Sequence, residues 1–174
     1  MLKKLFVVCA WWLMGLSVQA QTQVFKGCAQ GTERVESSDL AFEQTVLQLV
    51  NAERQKRKLS ALKMSVALTN SARYHAYDMA TDDYFHHDSY DGKKRQCGTF
   101  DRLRKFAKAE GFLSLAENIA AGQADAKSVF ATWMASTGHR TNILNKKYTH
   151  IGIAFIRREG SEYGTYWVQC FGTK

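Results

Sequence analysis

The sequence contains no proline among its 174 residues. That absence excludes proline-rich low-complexity segments, although nothing in the sequence supplies a physical reason for it in a chain with several loops. Cysteine is sparse, with four residues and no Cys-x-x-Cys spacing, so the short metal-clip and dithiol redox motifs are excluded. No His-Glu-x-x-His pattern occurs, which removes the helical metalloprotease signature. The apolar run Leu5–Leu16 is too short to cross a bilayer core of about 30 Å as a helix. Acidic residues are outnumbered, 16 against 24 basic ones, for a formal net charge of +8. The basic residues are dispersed and carry no nucleic-acid motif, so nucleic acid is not an expected partner.

What is present begins with an export leader. Lys3 and Lys4 precede the apolar run, which ends in Val18-Gln19-Ala20, the pattern of a cleavable secretory signal over residues 1–20. Cys9 lies inside the apolar run and Cys28 follows Phe25-Lys26-Gly27, so lipid attachment is not expected. Cleavage removes two lysines and lowers the net charge to +6. About 150 residues remain, enough for one domain with a real core, and no transmembrane segment is left. The expected location is secreted or periplasmic, where disulfides persist. Cys28, Cys97 and Cys170 then supply one pair and one free thiol. Cys97 with Cys170 is the preferred pair, because both lie within the domain rather than in the N-terminal arm. A basic exported domain meets anionic polymers, lipid headgroups and envelope material readily.

Residues 21–38 are polar, lack apolar periodicity and read as an N-terminal arm, with the domain proper over 39–174. Ser38 or Asp39 caps a helix whose stripe is Phe42, Val46, Leu49 and Val50, leaving Glu53, Arg54, Lys56 and Arg57 outside it. A second helix runs from about Val66 to Asp83 with a packed His75 on its apolar face. Tyr84 to Gly98 reads as a loop. Phe100, Leu103, Phe106 and Ala107 then mark a third helix that stops at Gly111. Leu113 to Gly122 is short and apolar, and Asp125 opens a further helix through Val129, Phe130 and Trp133, followed by a helical turn from His139. Ile151, Ile153 and Phe155, and then Tyr166 to Phe171, have strand character and predict an antiparallel hairpin. Helices first and strands last predict an α+β domain with a small antiparallel sheet covered by helices.

The chemistry gathers on a few residues. Glu117 sits among Leu115, Ala116, Ile119 and Ala120, so its carboxylate needs a partner, a cation or water to offset desolvation. His86 and His87 stand together in the loop, and His139 follows a helix-ending Gly138. These groups form no local metal motif, and only the fold can bring them together.

Several fragments carry a family resemblance. Val50-Asn51-Ala52-Glu53-Arg54, Tyr84-Phe85-His86-His87, Ala116-Glu117-Asn118-Ile119-Ala120, the run from Trp133 through Ser136, Gly138 and His139 to Leu144, and Tyr166 to Gly172 stand in the order found in the CAP superfamily of cysteine-rich secretory, antigen 5 and pathogenesis-related proteins. The sequence resembles its bacterial branch over about residues 42–172. That resemblance implies a three-layer α-β-α sandwich with a cleft where His87, Glu117 and His139 converge, with His86 as the rival of His87. Asn118 belongs to the Glu-Asn signature. Ser136 occupies the position where animal and plant members carry a second acid. The resemblance also implies a divalent cation such as Zn2+ on His87, Glu117 and His139, an open set in the manner of a catalytic zinc. Two functions follow: a monomeric binding module for a lipid, a cell-envelope component or a protein, or a zinc-dependent hydrolase or peptidase.

Overall fold

Asp39 opens the first helix, its carboxylate accepting from the N–H groups of Ala41 and Phe42. The computed structural model describes residues 25–174. The expected leader lies outside them. Helix α1 (Leu40–Lys56) buries Val46 and Val50 completely, and it buries Glu43 and Arg54 as well. The expectation that Arg54 lies outside the stripe is therefore corrected. Its guanidinium donates to the carbonyls of Ser60, Ile143, Asn145 and Tyr148, because a planar five-donor group can satisfy turn carbonyls that would otherwise be buried unpaired. Glu43 accepts from Arg73 and from the Phe155 N–H at 3.2 Å, fastening α1 to two other elements.

Strand β1 (Lys63–Met64) leads into α2 (Val66–Thr81), capped by Ser65 and carrying a fully buried His75, as the periodicity predicted. The segment read as a loop contains a charged hairpin, β2 (Ser89–Asp91) and β3 (Lys94–Cys97), which turns at Gly92 with φ 56°. Helix α3 (Thr99–Ala107) tightens into a 3-10 turn and ends at left-handed Gly111. The unassigned apolar run becomes β4 (Ser114–Ala121). Helix α4 (Ala126–Ala135) starts from an Asp125–Ser128 capping box and α5 (Thr137–Ile143) follows directly. Strands β5 (His150–Arg157) and β6 (Thr165–Thr173) form the predicted antiparallel hairpin.

The sheet order is β1-β5-β6-β4, antiparallel except for the two-residue parallel edge of β1 on β5. Strand alternation divides the core. Ile151, Ile153, Phe155, Trp167 and Phe171 meet α1, α4 and α5 on one face, while Ala154, Ile156, Val168 and Cys170 meet α2 and α3 on the other. The result is the three-layer α-β-α arrangement. Gly152 lets α2 lie against β5, since a Cβ there would strike the backbone of Leu68 and Thr69.

The disulfide joins Cys28 to Cys97, with Cα atoms 4.7 Å apart, and Cys170 is free and buried. The preference for Cys97 with Cys170 is overturned. Cys170 points from β6 into the core under α2, whereas Cys97 ends β3 beside the arm. The arm is not a loose segment: Phe25 packs on Tyr74 at 4.5 Å between ring centroids, Ala29 is buried and the Ser38 N–H donates to the Phe155 carbonyl.

Candidate functional site

The outer strand β4 sends neighbouring side chains to opposite layers. Glu117 faces α2 and α3, and its side chain is only 1% exposed. Arg102 of α3, fully buried, pairs with its Oε2, and His87 Nδ1 lies 3.0 Å from its Oε1. His75 Nε2 lies 3.9 Å from the same oxygen. Burial by itself would raise the Glu117 pKa, but the charge of Arg102, with His75 and His87, brings it down to about 2. The carboxylate is ionised and fully engaged.

Arg102 also donates to the His87 carbonyl at 2.9 Å and to Ser89 Oγ at 3.3 Å, so one guanidinium holds both the acid and the backbone of the histidine loop. Burial and then the Arg102 charge push the His75 pKa down to about 3. His75 is thus neutral, and its Nε2–H serves as donor to the His86 carbonyl at 2.9 Å. The two loop histidines are thereby separated in role. His87 meets Glu117, whereas the exposed ring of His86 takes the Asp88 N–H on Nδ1 and rests against Tyr90. Asp88 fixes the loop to the first turn of α3 by accepting from the Thr99 N–H and hydroxyl.

Asn118 points to the opposite layer and is fully buried. Its amide donates to the His139 carbonyl and to Gln169 Oε1, both at 3.1 Å, and its oxygen accepts from Asn142 at 2.8 Å. Asn118 therefore positions the helix that carries His139. The His139 ring is half-buried, its Nδ1 has no protein partner, and burial followed by the nearby His87 lowers its pKa. Ser136 marks the junction of α4 and α5 and is not among the residues lining the cleft.

The cleft wraps the outer edge of β4 and has a volume of about 410 Å³. Ile119, Ala120 and Ala121 form its floor, Phe85, His86 and His87 one wall, Thr132 and His139 the other, with Gln123 and Tyr163 at one end. Phe85 and Tyr163 touch, with ring centroids 5.6 Å apart. Asp83, in left-handed backbone at φ 52°, sets the position of Tyr163 by accepting from the Glu162 N–H and the Tyr166 hydroxyl. Behind the floor, the indole N–H groups of Trp133 and Trp167 donate to the carbonyls of Ile119 and Gln123. Glu117 lies behind His87 rather than in the wall. Among the described residues, no group of three or more His, Cys, Asp and Glu side chains stands together as a metal site.

The sequence profile described as "CAP: Cysteine-rich secretory protein family" matches residues 47–171. The chain belongs to this family. The uncharacterized protein YkwD of Bacillus subtilis (strain 168) is 39% identical over 140 residues, which are 80% of this chain and 50% of that protein. An extracellular protein containing an SCP domain from Bacillus anthracis superposes with a TM-score of 0.62 at 29% identity, covering 77% of this chain and 41% of that one. An outer surface protein of Borrelia burgdorferi gives a TM-score of 0.68 at 18% identity, covering 81% of this chain and 99% of that one, and so shares the fold. The chain spans half the length or less of the two Bacillus proteins.

In this CAP domain the residue that sequence reasoning missed is Arg102. The signal lay in two places: Glu117 needed a partner, a cation or water, and Arg102 stands four residues before the apolar Phe106, one helical turn away.

Proposed function

We propose that this CAP domain is an extracytoplasmic binding module whose cleft takes a cell-envelope molecule with an apolar portion and a hydrogen-bonding head. The observation that supports the reading is the lining of the cleft, where aromatic and aliphatic surface adjoins three imidazoles. Such a mixture suits amphipathic ligands: the apolar wall supplies affinity and the few polar groups fix orientation. The leader-like residues 1–20 and the extracellular description of the Bacillus anthracis relative favour export. Among the described residues no helix is long and apolar enough to cross a membrane.

A second reading, hydrolysis, is favoured by one contact. The Glu117 carboxylate on His87 Nδ1 leaves Nε2 free, an arrangement that orients an imidazole for proton transfer or for a metal. A divalent cation would take His87 and His139 as donors. Glu117, held by Arg102, would orient His87 rather than bind the ion.

Calorimetric titration of the chain from Gln21 onward tests both readings. Saturable binding of decanoate or of a soluble muropeptide supports the module, provided Phe85→Ser weakens it by about tenfold or more with the melting temperature unchanged. Absence of saturable binding for both overturns it. Zinc chloride as injectant tests the metal-dependent form of the second reading: stoichiometric uptake lost in His139→Ala supports metal chemistry, and no uptake removes the metal from it.

A further inference from the structure

The end of the sheet remote from the cleft carries a patch that the cleft does not explain. The register puts Ser114 opposite Thr173, His150 opposite Gly172 and Lys63 opposite His150 at this end, whereas the cleft lies near Ala121 opposite Tyr166. Val66 and Leu113 are the two most exposed large apolar residues described, at 74% and 85%, and Met64 is 41% exposed. The same neighbourhood holds them. Glu110 accepts from Ser65 Oγ and the Ala67 N–H on either side of Val66, and Leu113 follows two residues after the Gly111 turn. Lys174 Nζ lies 2.7 Å from Glu110 and 4.8 Å from the centre of the Phe112 ring. Lys63 precedes Met64 in β1, and Lys108 borders Phe112 across the Gly111 turn. Glu110, the acid inside this group, is already paired with Lys174.

We propose that this end of the sheet docks on an anionic lipid bilayer, with Met64, Val66 and Leu113 entering the headgroup boundary and Lys63 and Lys108 meeting lipid phosphates, while Lys174 offsets Glu110. Exposed apolar side chains flanked by lysines are the pairing that interfacial binding needs: short insertion and electrostatic attraction together hold where either one alone is weak. A second copy of the chain fits poorly. Three side chains fall short of the roughly 800 Å² per partner of a stable protein interface, and a face-to-face pair would set lysines against lysines. Docked in this way, the protein presents its cleft away from the bilayer.

Vesicle sedimentation of the chain from Gln21 onward tests the proposal independently of any cleft ligand. Phosphatidylcholine vesicles containing phosphatidylglycerol should pellet the protein, and pure phosphatidylcholine should not. The pair Val66→Asp with Leu113→Asp and the pair Lys63→Glu with Lys108→Glu should each weaken binding by about tenfold or more. Circular dichroism should stay unchanged, because all four side chains are exposed. Failure to pellet with anionic vesicles overturns the proposal, as does equal pelleting of the aspartate pair. A concentration-dependent dimer abolished by the aspartate pair also overturns it, assigning the patch to self-association.

Discussion

Arg102 replaces several separate contacts by one side chain: it neutralises Glu117, takes up the His87 carbonyl and reaches Ser89. Removing it strands a carboxylate in a core where charge is costly. Arg102→Met should therefore lower stability by about 3–5 kcal/mol, read as a fall in the urea midpoint, and adding Glu117→Gln to that variant should restore part of the loss. Restoration by the neutral amide distinguishes an unpaired charge from lost packing. The glutamate was legible in the sequence because its apolar neighbours demanded a partner. Its partner was not, since the stripe through Phe100, Leu103 and Phe106 includes an exposed aromatic, and the buried face is Arg102, Leu103, Phe106 and Ala107. Arg54 escaped for the same reason: hydrophobic periodicity cannot register a long cation that is buried to satisfy carbonyls.

Among the elements, α1 and α2 were readable because a side-chain cap and an apolar stripe agree at each start. Strand β4 was not, because residues 116–120 are all buried and a strand covered on both faces loses its alternation. The β2–β3 hairpin was hidden by its charges, Lys93, Lys94 and Arg95. It is fastened by the Cys28–Cys97 bridge and the Asp88–Arg95 pair, with Tyr90 packed on Tyr84. The Cys28–Cys97 bridge closes a separation of 69 residues and ties this hairpin, which follows directly on His86 and His87, to the arm. Reduction, or Cys97→Ser, should cost about 2–5 kcal/mol. It should also speed amide hydrogen exchange in residues 25–38 and 84–98 more than in β5 and β6. Exchange mass spectrometry on oxidised and reduced protein checks this, and equal acceleration throughout would mean that the bridge supports the whole fold rather than the histidine loop.

For the molecule as a whole, acid stability depends on three buried groups. His75, at about 3, refuses a proton that the unfolded chain takes up near pH 6.5, so stability falls with pH through that window. Asp78, raised to about 6 by burial against the opposing hydrogen bonds of Tyr84 and Ser89, works the other way. Its proton is held when folded and released when unfolded between about pH 4 and 6, so its contribution is complete at the acid end and lost as pH rises through 6. Glu117 stabilises above about pH 4.3 and loses that contribution as pH falls through about 2. The first two nearly cancel between pH 7 and 4, and stability should drop steeply only below 4. Single substitutions unmask each limb. His75→Gln should gain about 2–3 kcal/mol on going from pH 7 to 4, and Asp78→Asn should lose a similar amount, both measured by urea unfolding at the two pH values. The layer order needed the family resemblance, because β4 and β1 carry no strand signal of their own, yet the hairpin that forms the sheet's centre was plain in the sequence. Two of the four tryptophans lie in the expected leader, which leaves Trp133 and Trp167 as the indole emitters of the chain from Gln21 onward. Both are buried and bond through their indole N–H groups to carbonyls at one end of β4, so a ligand that shifts the cleft floor should change the colour of the protein's own emission, without any label.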